Sequence, residues 1–235
     1  MLKLKSKSSS QHGVTLIELM VAMVLSIVVI GGMVTLMGNS LGSSNRTILM
    51  TRLTQELRAS MNTVSRDVRR AGYWPDIIDC FGQGACAGAQ AFVAIQLTDQ
   101  DADGNDDCIR VAYDRDGDAA LGGVPAEVVF YRHNVVSGVG SIQIKTAGAA
   151  VDTTCSQGGW TDLTDPDTVN ITALTFDNAN TYNTPVSVSA TGGVSLIRTR
   201  EININMQGNL IARTDIAREI EEDIRVRNDF YFPAP

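Results

Sequence analysis

An almost unbroken apolar run from Val14 to Met37 (VTLIELMVAMVLSIVVIGGMVTLM) constrains this chain more than any other feature. Its 24 residues make a helix of about 36 Å at roughly 1.5 Å per residue, enough to cross the hydrocarbon core of a bilayer. A transmembrane helix over 14–37 is therefore expected. The leader before it (MLKLKSKSSSQHG) holds Lys3, Lys5 and Lys7 but no apolar stretch of its own, and no small-x-small cleavage site follows the run. That pattern argues against an ordinary secretory signal. Positive charge should hold the leader on the cytoplasmic side, which places the rest outside the inner membrane, in the periplasm.

Glu18 is the anomaly in this segment, because an ionised carboxylate in hydrocarbon costs about 2.5 to 3.5 kcal/mol on insertion scales. A partner is needed to offset it. If the chain were cut after Gly13, a new amino terminus would sit on Val14, four residues before Glu18. A neighbouring subunit displaced along a shared axis would then offer its amine to the acid, and the acid would set the stagger between subunits. The other reading places Glu18, about one helical turn from the start, among the headgroups or in its protonated form.

The segment G-V-T-L-I-E-L-M-V-A-M, beginning at Gly13, resembles the class III signal and helix start of type IV pilins and pseudopilins. The resemblance implies cleavage after Gly13 by a prepilin peptidase, methylation of Val14, and an assembly role for Glu18. Phenylalanine is usual in that family where this chain has Val14. Further on, Arg66-Asp67-Val68-Arg69-Arg70-Ala71-Gly72-Tyr73-Trp74 and the closing Val226-Arg227-Asn228-Asp229 are similar to the long-helix end and the terminus of PilW-type minor pilins. What this implies is a structural subunit that primes or caps a type IV pilus, working by assembly rather than catalysis. Its partners would be other minor pilins, the major pilin, the prepilin peptidase and the inner-membrane assembly platform, and its place the inner membrane or the tip of a surface pilus. Two other readings stay open: a pseudopilin of the type II secretion system, and a membrane-tethered adhesive or ligand-binding module.

The expected organisation is a leader over 1–13, a transmembrane half-helix over 14–37, a periplasmic half-helix over 38–72 and a globular β domain over 73–235. Helical periodicity resumes after the apolar run with Met50, Leu53, Leu57, Met61, Val64, Val68 and Ala71 on one stripe. Gly72 and Pro75 are the expected stop. Between the two halves, GNSLGSSN (38–45) is rich in poor helix formers, which makes it a locally weak stretch and a candidate hinge within one continuous helix over both halves. Short β-like runs follow at 91–97, 108–113, 127–133, 141–145, 169–176 and 200–207, with 220–229 as a further candidate strand. GGVPAE, KTAGAAVDTT and TYNTPVSVSATGG read as loops. The fold class is thus α+β and pilin-like, a long N-terminal helix on an antiparallel sheet.

Formal charge is −7, and losing the three leader lysines would make it −10. A nucleic-acid surface on the globular part is disfavoured on that ground. Arg66, Arg69 and Arg70 are the one tight basic cluster, which reads as a solvated face at a helix C-terminus. Cys80, Cys86, Cys108 and Cys155 all follow the membrane segment and suit an oxidising compartment. Three pairings are open; the short loop CFGQGAC favours Cys80 with Cys86, leaving Cys108 with Cys155. No Cys-x-x-Cys occurs, and the two histidines, His12 and His133, make no catalytic or zinc arrangement with other residues.

Two acidic loops raise a metal question. In DQDADGNDD, residues Asp99, Asp101, Asp103, Asn105 and Asp107 take alternate positions of an EF-hand-type calcium loop, with Gly104 at the turn. Arg110 stands where the closing glutamate belongs, and the flanks read as strands. A true EF-hand is excluded, while a looser Ca2+ turn and a plain Asp/Asn/Gly hairpin both fit. In DRDGDAALGG the same spacing returns as Asp114, Asp116 and Asp118. No cofactor is required by anything else in the chain.

Overall fold

The computed structural model describes residues 13–75, 92, 95–119, 121–122, 124–147, 155, 158–188 and 193–233. A single helix, α1 (Leu16–Arg70), runs for 55 residues, about 82 Å at 1.5 Å per residue. It passes unbroken through the candidate hinge at 38–45, as one continuous helix over both halves requires. Propagating a formed helix from either side fixes one residue per hydrogen bond gained, so a few poor formers weaken the turn without opening it. By internal contacts the chain divides into two units, Met1–Leu49 and Met50–Pro235.

In the first unit every side chain from Val14 to Met37 is exposed. The hydroxyls within it turn back onto the helix: Ser26 Oγ donates to the Ala22 carbonyl (2.7 Å) and Thr35 Oγ1 to that of Gly31 (2.8 Å). This leaves an outer surface that is almost wholly apolar, as lipid or another helix requires.

The second unit carries eleven strands among the described residues. A five-stranded antiparallel sheet has β1 (Gln96–Thr98), β2 (Cys108–Ala112), β3 (Val128–Val136), β4 (Val139–Ala147) and β5 (Thr161–Asp162) in sequence order. A second sheet has the order β10-β9-β6, formed by β6 (Val169–Asp177), β9 (Glu201–Leu210) and β10 (Arg213–Arg225). A third joins β7 (Tyr182–Val188), β8 (Gly193–Thr199) and β11 (Phe230–Pro233) in the order β11-β8-β7. Strict alternation in β9 buries Ile202, Ile204 and Met206 and leaves Asn203 and Asn205 on the wetter face. The segment TYNTPVSVSATGG, expected as loop, instead supplies β7 and the start of β8. Pro185 lowers the strand signal, yet β7 is an edge strand, the position in a sheet where proline is tolerated. β4 likewise extends to Ala147, taking in the first residues of the expected loop KTAGAAVDTT.

The α1 stripe packs on these sheets. Leu53, Leu57, Met61, Val64, Val68 and Ala71 are all buried, the larger ones each contributing about 1.5 to 3 kcal/mol. Gly208 of β9 is packed closely against β6, since a Cβ there would lie 3.1 Å from the Asn170 carbonyl oxygen and 3.3 Å from Ile171 Cδ1. The first and second sheets meet at Gly140, where a Cβ would fall 2.0 Å from the Ile171 carbonyl oxygen and 2.5 Å from His133 Nε2. His133 has a structural task there, its Nε2 lying 2.9 Å from that same carbonyl oxygen. α1 ends at Arg70, and Gly72 follows with φ of 76°, the left-handed conformation that glycine takes without strain.

Cys108 and Cys155 form a disulfide with a Cα–Cα distance of 6.5 Å. It lies in a core cluster with Phe92, Ala112, Val128 and Phe130. The expected pair Cys80 and Cys86 lies outside the described residues.

Candidate functional site

Gly13, Val14 and Thr15 precede α1, and Thr15 caps it. The Glu18 amide donates to Thr15 Oγ1 (3.4 Å), and that hydroxyl donates to Glu18 Oε2 (3.5 Å). Thr15-Leu16-Ile17-Glu18 is therefore a capping-box sequence, T-x-x-E, a helix-start signal carried by the sequence itself. Glu18 also stands in the first helical turn, where a negative charge meets the positive end of the helix dipole. These local interactions give the acid one reason to be there. They leave its charge without a cation, for among the described residues no Lys or Arg forms an ion pair with it. Val14 is 70% exposed, so the first turn presents both Val14 and Glu18 outward.

The acidic loops differ in how completely they converge. Asp99, Asp101 and Asp103 each place a carboxylate oxygen within 4.8 Å of the others. Asp99 accepts from the Ala102 and Gly104 amides (2.7 and 2.9 Å), and the Gly104 N–H is the main cause that holds its carboxyl below the usual range. Asn105 directs its backbone N–H to Asp103. Asp107 stands apart, accepting from the Gln100 amide at 2.9 Å, and burial pushes its carboxyl up. In the second loop Asp114, Asp116 and Asp118 gather with a fourth carboxylate, Glu127, again within 4.8 Å. Asp114 and Glu127 are buried, at 3% and 0% exposure. Amides of Gly117 and Ala119 hold Asp114, and those of Arg115 and Gly122 hold Glu127. Four oxygen ligands on backbone-braced side chains fit a hard divalent cation better than three on an exposed turn. Loop spacing does not include Glu127, which sits beyond the loop at the head of the run that becomes β3.

The body is tied to α1 by Asp67. This side chain, 6% exposed, accepts from Tyr131 Oη at 2.7 Å and from Tyr113 Oη at 3.4 Å. Burial first, and the bond to Asp67 second, push the Tyr131 phenol well above its usual value. The tail after β10 closes the helix end: the Arg227 amide donates to the Arg69 carbonyl, and Asn228 Nδ2 to those of Arg70 and Ala71.

Residues 46–226, more than half of the chain, match the family model described as prepilin peptidase-dependent protein B. The chain belongs to that family. A second match, to the prokaryotic N-terminal methylation motif, covers residues 8–34 and so includes Gly13, Val14, the capping box and Glu18. No curated protein and no solved structure matches the chain. The two family matches divide most of the chain between them: the motif covers residues 8–34, including the apolar front of α1, and the match to the family begins near the boundary of the second unit. The chain is thus a type IV pilin-like protein with a prepilin-type signal, an apolar N-terminal helix and an antiparallel β body. Prepilin peptidase and other pilins are the partners that this membership suggests.

Proposed function

We propose that the chain is a minor pilin that primes or caps a type IV pilus as a structural subunit. The observation that carries this reading is a methylation motif placed on a helix whose apolar face, from Val14 to Met37, is entirely exposed in the single chain. Such a surface needs lipid before assembly and neighbouring helices after it. On this reading Gly13 is the last leader residue, Val14 receives the methyl group, and the Glu18 carboxylate pairs with the amino terminus of an adjacent subunit. Processed material from membranes should begin at Val14 and carry one added methyl by mass spectrometry. Material that starts at Met1 would overturn the proposal.

Glu18→Ala should leave membrane insertion intact and lower recovery of the chain in sheared pili at least tenfold. Glu18→Gln separates assembly from capping, because glutamine serves a capping box but carries no charge. The assembly role requires both variants to fail, and normal incorporation of Glu18→Gln would reduce Glu18 to a helix cap.

Calcium at the second acidic loop is a supplementary proposal, supported by the convergence of Asp114, Asp116, Asp118 and Glu127. The full chain in detergent micelles should melt about 4 °C higher at tenfold saturating calcium, and magnesium should do less. Asp116→Asn with Asp118→Asn, both at exposed positions, should abolish that shift, whereas Asp101→Asn with Asp103→Asn should preserve it. A melting temperature indifferent to millimolar calcium would remove the metal from the account.

A further inference from the structure

We propose that the concavity at the C-terminal end of α1, where Arg69, Arg70, Arg115 and Arg227 converge, docks a carboxylate-bearing segment of a neighbouring pilin subunit. This deepens the assembly reading above and rests on it. The hollow has a volume of about 370 Å³ and is walled in addition by Tyr73 and Tyr113. An adjoining hollow of about 160 Å³ shares Arg69, Arg70 and Arg227 and adds Arg66. The sequence shows only the cluster on the helix. Topology adds Arg115 from the loop after β2 and Arg227 from the tail after β10.

The guanidinium-bearing backbone is held in place before any partner arrives. The Arg227 amide donates to the Arg69 carbonyl (3.0 Å), the Gly72 amide to the Ala112 carbonyl (2.8 Å) and the Asp114 amide to the Tyr73 carbonyl (2.9 Å). Three segments are thereby fixed to one another, which lowers the ordering penalty of binding. Helix-end electrostatics account for only part of the cluster. They favour Arg69 and Arg70 in the last turn of α1, but Arg115 and Arg227 belong to no helix, and the Asn228 amide already caps the terminal carbonyls.

The charges in the hollow are unevenly matched. Arg69 pairs with Glu222. Arg115 donates to Tyr113 Oη (2.9 Å) and lies over that ring at 5.2 Å. The Asp114 carboxylate takes two backbone amides of its own loop. Among the described residues the guanidiniums of Arg70 and Arg227 have no hydrogen-bonded or ion-paired partner. Two unneutralised guanidiniums therefore face one concavity on a chain whose formal charge is −7.

A guanidinium fork takes a planar carboxylate through two parallel hydrogen bonds, and tyrosine with arginine is the composition of protein-interface anchors. An extended polyanion such as a nucleic acid would meet the acidic remainder of the surface, whereas a short carboxylate row meets only the hollow. This chain shows what such a row looks like. On the outer side of β10, Glu219, Glu221 and Asp223 are held by Asn203, Asn205 and Gln207 of β9, with successive acids about 7 Å apart along the strand. A basic hollow on one subunit and an acidic strand on the next make a heterologous contact, the kind that propagates into an open helical filament.

The test is binding of a fluorescent hexaglutamate peptide to the full chain in detergent micelles, followed by anisotropy. At low salt the peptide should bind, R70A/R227A should weaken it at least tenfold, and R70K/R227K, which keeps the charge but loses the planar fork, should fall between the two. R52A/R58A, which removes the same charge elsewhere on α1, should change it less than twofold. Equal weakening by the R52A/R58A pair, or no weakening by R70A/R227A, would overturn the site. So would competition by inorganic phosphate at the peptide's own concentration, which would mark a small-anion site. Melting temperatures equal to wild type exclude misfolding, and the lysine pair reports on the hollow independently. The assembly reading fails separately: membrane material that starts at Met1 and is absent from sheared pili would overturn that reading and leave the peptide result standing.

Discussion

Replacing Cys108 and Cys155 together by alanine should lower the unfolding free energy by about 4 kcal/mol and the melting temperature by about 10 °C. The bond joins residues 47 apart in sequence, and closing a loop of that length in the unfolded chain removes about 4 kcal/mol of conformational entropy at room temperature. Native packing adds to the effect. Cys108 and Cys155 are 0% and 3% exposed, in a cluster against which Trp160 also lies. Trp160 meets Phe130 edge to face at 6.3 Å, and the Arg132 guanidinium covers the indole at 4.1 Å while reaching the Cys155 carbonyl. Urea unfolding followed by tryptophan fluorescence reads the change near the bond. A loss under 1 kcal/mol would show that this part of the first sheet closes without its covalent link. An oxidising compartment is what allows such a link to persist.

The elements that were legible in the sequence are those whose pattern repeats within one segment. The stripe from Leu53 to Ala71 has a helical period, and the alternation in β9 has a period of two; each fixes a buried face without reference to the rest of the chain. The pattern misled where a residue's local preference was overruled by its place in a sheet, as with Pro185 on the edge strand β7. At 38–45 the flanking helix on both sides outweighed weak propensity. The capping box at Thr15 to Glu18 is legible as T-x-x-E, but it lies inside an apolar run whose dominant signal is membrane span rather than helix start.

Sites assembled across the topology were out of reach of any local pattern. Glu127 joins the second acidic loop only because β3 starts beside it. Arg115 and Arg227 meet Arg69 and Arg70 only after β2 and the tail beyond β10 have been placed against the helix end. Of the acidic residues singled out for a metal, Asp99, Asp101 and Asp103 share a turn and stay together, whereas burial and the Gln100 amide take Asp107 elsewhere. Spacing predicts convergence within a turn and loses force where a strand begins.

Asp67 is the case in which a single residue carries the most of this hidden structure, and Asp67→Ala should destabilise the body by about 3 kcal/mol. The substitution leaves two buried tyrosine hydroxyls, Tyr113 at 4% and Tyr131 at 0% exposure, without their acceptor; each such loss costs about 1 to 3 kcal/mol. The exposed Arg66 beside it, with Nε 3.8 Å from Asp67 Oδ1 and 61% side-chain exposure, is screened by water and adds little. Asp67→Asn keeps one carbonyl acceptor and should cost about 1 kcal/mol. Alkaline pH gives a second readout. Because folding raises the Tyr131 phenol above its ordinary value near 10, the folded state keeps that proton while the unfolded chain releases it. The stabilisation is complete below about pH 10 and is lost as pH rises from there toward the folded-state value, at about 1.4 kcal/mol per pH unit. Tyr131→Phe should flatten this slope, and Asp67→Ala should reduce its extent while leaving the part due to burial. A slope above pH 10 that Asp67→Ala leaves unchanged in extent would remove the Asp67 to Tyr131 bond from the set of contacts that fasten α1 to the first sheet.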